Sequence, residues 1–192
     1  MAVNLKKGGK VNLSKEAPGL FQLVAGLGWD VNHYDGESFD LDASVFLLNN
    51  DKKCANSDDF VFYNQPHHPS GAVIHMGDNR TGSGNGDDEQ IEIDLSKIPE
   101  NITHIPIVVT IHDAEQKNQN FGQVENAYIH LLNKETGEEV VRYDLTEDYS
   151  TETALNVGEL YKKDGTWRFA AVGSGFQEGL AGFCRLYGLE VE

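Results

Sequence analysis

The chain has 192 residues, with 15 Lys+Arg against 31 Asp+Glu and a formal net charge of −16. That length suits a single domain over 1–192, and 39% hydrophobic residues spread along it supply a core rather than a disordered acidic tail. The charge argues against nucleic acid and anionic membrane as partners, since both need a cationic face, and favours cations or basic partners. No stretch is apolar over about 18 residues, so no membrane-inserting helix is predicted. The first nine residues lack the apolar run of a signal peptide. Cys54 and Cys184, far apart in the sequence, make neither a disulfide framework nor a zinc site, which fits a reducing cytoplasm.

Short apolar stretches recur between Gly, Asn and Asp clusters. Residues 21–29 and 41–48 come first, then shorter candidates at 60–63 and 72–76. Residues 89–95 are the cleanest strand: Ile91, Ile93 and Leu95 alternate with Gln90, Glu92 and Asp94, so one face is buried and one wet. Residues 105–111 are apolar on both parities and read as a central strand covered on both sides. A helical turn fits 114–120. Residues 128–132 and 140–145 pair across a turn at 134–137. Residues 155–161 and 167–172 pair across Asp164-Gly165, a strong hairpin signal. The segment 177–187 suits a short helix, with Leu180, Phe183, Cys184 and Tyr187 at helical spacing and Gly188 as its C-terminal stop. About ten strands, short loops and one final helix predict an all-β fold: a β-sandwich of two mainly antiparallel sheets with a short C-terminal helix.

The most informative stretch is the loop from Gly77 to Glu89. It holds Asp78, Asn79, Asp87, Asp88 and Glu89, with Gly82, Gly84 and Gly86 at alternate positions. Like charges this close repel unless a cation or solvent screens them. Glycines let the backbone take positive φ and turn carbonyls inward. Carboxylates, carbonyls and an Asn amide are hard oxygen donors, a set that suits Ca²⁺ better than Mg²⁺, which wants a tighter octahedron. The loop is not an EF-hand. Asp78 at position one puts Glu89 at twelve, but Arg80, Gly82 and Ser83 stand at three, five and six, and the flanks are strands. The plain alternative is a solvated hairpin loop that binds nothing.

A second acidic cluster comprises Asp30, Asp40 and Asp42. Asp40 and Asp42 are two apart at a strand start, so both are expected on one side of it, at a rim. They either complete one ion shell with the glycine loop, build a second, or solvate a junction. Asp113, ending the central strand, is a further contributor or the cap of the turn that follows. The seven histidines are scattered, with no i, i+4 pair of the zinc-protease kind. Gly173, Gly175 and Gly179 give GxGxxxG, one residue too long for a dinucleotide fingerprint, and read as a turn before the last helix.

Several ordered stretches together resemble the tellurium-resistance TerD family over essentially the whole chain. They are Gly26-Leu27-Gly28-Trp29-Asp30, Phe39-Asp40-Leu41-Asp42-Ala43-Ser44, Gly77-Asp78-Asn79-Arg80-Thr81-Gly82 and Gly86-Asp87-Asp88-Glu89. Thr110-Ile111-His112-Asp113-Ala114 and Gly158-Glu159-Leu160-Tyr161 agree with them. The resemblance implies a calcium-binding β-sandwich of the bacterial cytoplasm, tied to resistance to tellurite and other stresses, and a binding protein rather than an enzyme. It implies two Ca²⁺ ions, held by Asp78, Asn79, Asp87, Asp88 and Glu89 with a Gly86 carbonyl, and by Asp30, Asp40 and Asp42. The partners it implies are other stress-resistance proteins, membrane-associated ones included. The chain departs from the family's usual acidic residues at Ser83 and Asn85, which lowers the ligand charge. The rival reading is a metal-dependent hydrolase or phosphotransferase using the same carboxylates, which needs an open coordination position and a substrate pocket.

Overall fold

The computed structural model describes residues 2–30, 38–77, 86–145, 149 and 151–191. In chain order these form β1 (Val3–Leu5), β2 (Lys10–Asn12), α1 (Leu13–Glu16), β3 (Gln22–Gly28), β4 (Leu41–Phe46), β5 (Phe60–Val61), β6 (Val73–His75) and β7 (Glu89–Asp94). Then follow β8 (His104–Ile111), α2 (Ala114–Lys117), β9 (Tyr128–Asn133), β10 (Glu139–Asp144), β11 (Ala154–Lys163), β12 (Thr166–Phe176) and α3 (Gly179–Leu186). The strands make two six-stranded sheets, ordered β1-β10-β9-β3-β7-β6 and β2-β12-β11-β8-β4-β5. All pairings are antiparallel except β1 with β10.

The alternation seen in the sequence decides which face is buried. On β7, Ile91 and Ile93 are buried against Ala25 and Leu23 of β3, while Gln90 is exposed. The outer face of the first sheet is therefore wet. β8 is buried along nearly its whole length, as its two-sided apolar pattern predicts. Ile105, Ile107 and Val109 face the first sheet in the main core. Val108 faces outward and is covered by Phe183, Cys184 and Tyr187 of the C-terminal segment, with Phe46 beside it. The helix α3 thus gives the second sheet its second cover. It ends as expected: Gly188 takes φ 84°, and the Leu189 N–H donates to the Cys184 carbonyl at 2.8 Å.

Four features differ from the sequence expectation. Among the described residues twelve strands form rather than about ten, because β1 and β2 are three-residue pieces with mixed polarity that carry no period of their own. The short α1 is likewise unmarked by apolar spacing; the Asn12 side chain accepts from the Lys15 N–H at its start. Asp113 precedes α2 at φ 54° and does not cap it through its side chain. Gly173 and Gly175 lie inside β12 rather than in a turn, and the Tyr149 hydroxyl donates to the Gly173 carbonyl at 2.9 Å. No helix among the described residues is long and apolar enough to cross a membrane.

Candidate metal centre

The strand ends that carry the acidic clusters share one end of the sandwich. Leu27 of β3 faces Glu89 of β7, Gly28 faces Tyr128 of β9, and Leu41 of β4 faces Ile111 of β8. One side chain ties the two sheets together here: a Glu89 carboxylate oxygen accepts from the Ala43 N–H of β4 at 2.7 Å. That part of β4 extends beyond its pairing with β5, so its outer backbone edge is open to a side-chain acceptor.

The three consecutive carboxylates point three ways: Glu89 takes its direction from the parity of β7, whereas Asp87 and Asp88 precede the strand and are not bound by it. Glu89 turns inward with Ile91 and is 2% exposed. Its Oε2 also lies 3.4 Å from His75 Nε2. The Gly77 N–H donates to His75 Nδ1, so the neutral ring carries its proton on Nε2, toward Glu89. The contact is electrostatic rather than a hydrogen bond, since Nε2 makes no bond of proper geometry. Asp88 stays at the rim. Its Oδ2 accepts from the Trp29 N–H at 3.0 Å, and its own N–H donates to the Leu27 carbonyl at 2.7 Å. Burial pushes the Asp88 pKa up; the Trp29 bond opposes this, and the charges of Asp87 and Asp30 reinforce it.

Asp87 turns to the outer face of the first sheet. Its carboxylate accepts from Tyr128 Oη at 3.0 Å and Gln90 Nε2 at 3.0 Å, and contacts His130 Nε2 at 2.9 Å. The other ring nitrogen of His130 meets Glu139 at 2.7 Å. Arg142 lies over the Tyr128 ring, 4.1 Å from its centroid. Burial opposes ionisation of Asp87, but the His130, Gln90 and Tyr128 bonds outweigh it and hold the pKa below the ordinary carboxylate value. Burial likewise opposes charge on His130, and its two carboxylate partners outweigh it and raise its pKa. Burial and the Asp87 charge push Tyr128 up to about 12.

The second cluster divides as well. Asp30 sits beside Asp88; its N–H donates to the Glu125 carbonyl and its carboxylate accepts from Asn126 Nδ2 at 2.5 Å. Asp42 is buried on the outer side of β4, opposite in parity to Ala43, with its Oδ2 3.5 Å from His112 Nδ1. The other ring nitrogen of His112 lies 3.4 Å from Asp113. Asp40 precedes the strand, and its carbonyl accepts from the His112 N–H at 2.7 Å. Gly86 takes φ 111°, a conformation that favours glycine. Asp78 and Asn79 lie outside the described residues. Among the described residues, no three His, Cys, Asp or Glu side chains converge at metal-binding spacing.

Comparison with known proteins adds a frame to this geometry. Residues 1–187 match the TerD domain family. The chain belongs to the TerD family. It is 56% identical over 192 residues to general stress protein 16U of Bacillus subtilis (strain 168), covering all of both chains. It is 52% identical over 189 residues to tellurium resistance protein TerD of Serratia marcescens, covering 98% of each. Its fold matches the crystal structure of a homologue of telluride resistance protein (TerD) from Streptomyces coelicolor A3(2), with TM-score 0.73 at 21% identity, over 90% of this chain and 100% of that one. Neither named relative carries the name of an enzyme.

For a TerD chain, the expected ligand set is therefore spread over distinct surroundings. Asp30 and Asp88 share one part of the rim. Asp42, His112 and Asp113 form a second group. Glu89 and Asp87 already serve protein donors. The donors at the first position are hard oxygens, and burial and like charge disfavour the ionised form of Asp88 there. Sequence reasoning missed His130, Tyr128, His75 and His112. One signal for the first two was present: glycines two apart inside β3, a spacing that marks close approach over one sheet face.

Proposed function

We propose that this TerD-family stress protein binds calcium at the acidic rim of the sandwich, and that the ordered rim serves as a binding or scaffold surface in the bacterial cytoplasm. The observation that carries this reading is the electrostatic position of Asp88. It is drawn into the rim by the Trp29 N–H while burial and the neighbouring charges of Asp87 and Asp30 disfavour its ionised form. A divalent cation would relieve that cost. Asp30 and Asp88 would hold one ion, together with Asp78, Asn79 and the Gly86 carbonyl. Asp40 and Asp42 would belong to a second. Bound calcium supplies charge neutralisation and a link between loops. Glu89 acts beside it by closing the two sheets over Ala43, and Asp87 by anchoring the start of β7 to His130. Partners are other stress-resistance proteins, including membrane-associated ones, that dock on the ordered rim.

Calorimetry of EDTA-stripped protein with Ca²⁺ and then Mg²⁺ tests this. Calcium should bind with a dissociation constant of roughly 10⁻⁷–10⁻⁵ M and magnesium more weakly. Asp88→Asn should remove one ion from the stoichiometry and Asp42→Asn the other. Unchanged stoichiometry in both variants, or a preference for Mg²⁺, would sink the assignment and favour the hydrolase alternative.

A further inference from the structure

An open groove of about 640 Å³ runs between β5, α3 and the tail at 188–191, and none of the candidate metal ligands lines it. Phe60 and Cys184 are buried in its floor. The side chains that an occupant can reach are Phe62, Leu180, Ala181 and Leu189, all half-buried, and Val191, which is 46% exposed. Phe62 ends an aromatic column that starts in the interior. Phe46 stacks on Phe60 and Phe60 on Phe62, each with ring centroids 4.4 Å apart. A contiguous apolar surface with polar residues at its margin marks an interaction site.

Two observations narrow what covers it. The first is that the free edge of β5 is closed. The Phe60 N–H donates to the Ser57 carbonyl, and Gln65 Nε2 donates to the Phe60 carbonyl at 2.7 Å. Phe62 and Gln65 exchange both backbone bonds. A strand laid along this edge would find no ladder groups to pair with, whereas an α-helix satisfies its own backbone and needs none. The second is charge. Among the described residues lining the groove the single charged one is Glu190, and the exposed Asp58 adjoins Ser57 of the lining. Neither carboxylate makes an ion pair among the described residues. The cations on the flanks are engaged: Arg185 pairs with Glu178, and Lys53 Nζ donates to the Leu186 carbonyl at 2.5 Å. A second copy of the chain would bring another charge of −16 and another Glu190 to this face, so self-association is opposed.

We propose that this groove docks a basic amphipathic α-helix of another protein. The apolar stripe of that helix lies against Phe62, Leu180, Ala181 and Leu189, and the Lys or Arg residues flanking the stripe meet Glu190 and Asp58. The site is independent of the calcium reading, and its test runs with EDTA present. The probe is a Leu/Lys peptide of about 15–20 residues, long enough for a helix, with Leu at the i, i+3, i+4, i+7 spacing. Controls are a scrambled peptide of the same composition and a Leu/Glu peptide of the same pattern. The full chain is titrated at about 0.15 M salt, which screens attraction between distant exposed charges. Fluorescence anisotropy, peptide circular dichroism and ¹⁵N chemical-shift mapping read the result. The patterned Leu/Lys peptide should gain helix on binding and bind at least about tenfold more tightly than either control. Shifts should centre on residues 60–65 and 180–191. Ala181→Arg fills the groove with a like charge and should weaken binding at least about tenfold. Glu190→Lys, at an exposed position, keeps the test alive should that variant fail to fold. It should weaken binding by about fivefold or more, and Glu100→Lys, the same charge change on the exposed loop before β8, by less than about twofold. Equal binding of the scrambled peptide, equal losses in the two lysine variants, or no binding of the patterned peptide overturns the proposal. So does a dimer of the chain alone that Ala181→Arg dissociates, since a second copy would then be the cover.

Discussion

At Gly26 a side chain has no room. A Cβ there would lie 2.0 Å from Asp87 Oδ2 and 2.6 Å from His130 Nε2. The glycine lets a carboxylate and an imidazole lie flat on the sheet and meet each other. Gly26→Ala should therefore displace both and destabilise the fold by about 1–3 kcal/mol, the usual range for overpacking, read by urea denaturation. An effect below about 0.5 kcal/mol, the range of inert surface changes, would mean that the Asp87–His130 contact does not constrain β3. The same contact predicts a pH dependence. The folded state raises the His130 pKa above its ordinary value of 6.5, so the imidazolium contributes fully below that value and its contribution is lost as pH rises through the folded-state value. It lowers the Asp87 pKa below 3.8, so the carboxylate contributes above that value and its contribution is lost as pH falls through the folded-state value. Both contributions are present together between about pH 4 and 6.5. In EDTA, the stability gap between the parent protein and His130→Gln should be widest there and narrow toward pH 9. A gap that stays constant over that span would show that His130 is uncharged in the folded protein.

Among the elements, α3 is anchored on the second sheet through Phe183. Phe183 is fully buried between Phe176 and Tyr187, over the outer face of β8. Phe183→Ala should cost about 3–5 kcal/mol, whereas Leu186→Ala on the half-exposed side of the helix should cost about 0.5 kcal/mol or less. Similar costs for the two would mean that the helix is not anchored through Phe183. This helix also shows why so much of the fold was legible. Leu180, Phe183, Cys184 and Tyr187 repeat at helical spacing, and the two-sided apolar run of β8 already asks for a second cover on its outer face. The hairpin at Asp164-Gly165 was equally plain, and both residues take the positive φ that such a turn demands, 52° and 72°. Illegible elements lack local periodicity. Lys10 to Asn12 becomes a strand only because β12 offers a partner more than 150 residues on. The acidic site was half legible for the same reason. Composition marks the run from Asp87 to Glu89. But the partners that send its side chains apart, His130 and the Ala43 N–H, lie 43 and 46 residues away and follow from sheet order rather than from spacing.

Over the whole molecule, a net charge of −16 on 192 residues sets up self-repulsion that any cation partly relieves. Screening and site binding must therefore be separated before calcium can be called a ligand. Screening depends on ionic strength, acts on all exposed charges and is largely indifferent to which cation supplies it. Binding to the folded state alone adds RT ln(1 + [L]/Kd), which is about 2.7 kcal/mol at a hundred times Kd and does not saturate with added sodium. The rim favours the second behaviour, because Asp88 is held by the Trp29 N–H beside Asp30 rather than left free to move away. Thermal unfolding of EDTA-stripped protein should thus rise steeply over micromolar to millimolar calcium, and much less over sodium chloride of the same ionic strength. In Asp88→Asn the calcium response should shrink while the sodium response is unchanged, since one charge among 31 acidic residues barely alters the overall field. If calcium and sodium raised the melting temperature equally at matched ionic strength, the acidic clusters would be a solvated face, and the stress-protective surface would have to be sought elsewhere on the sandwich.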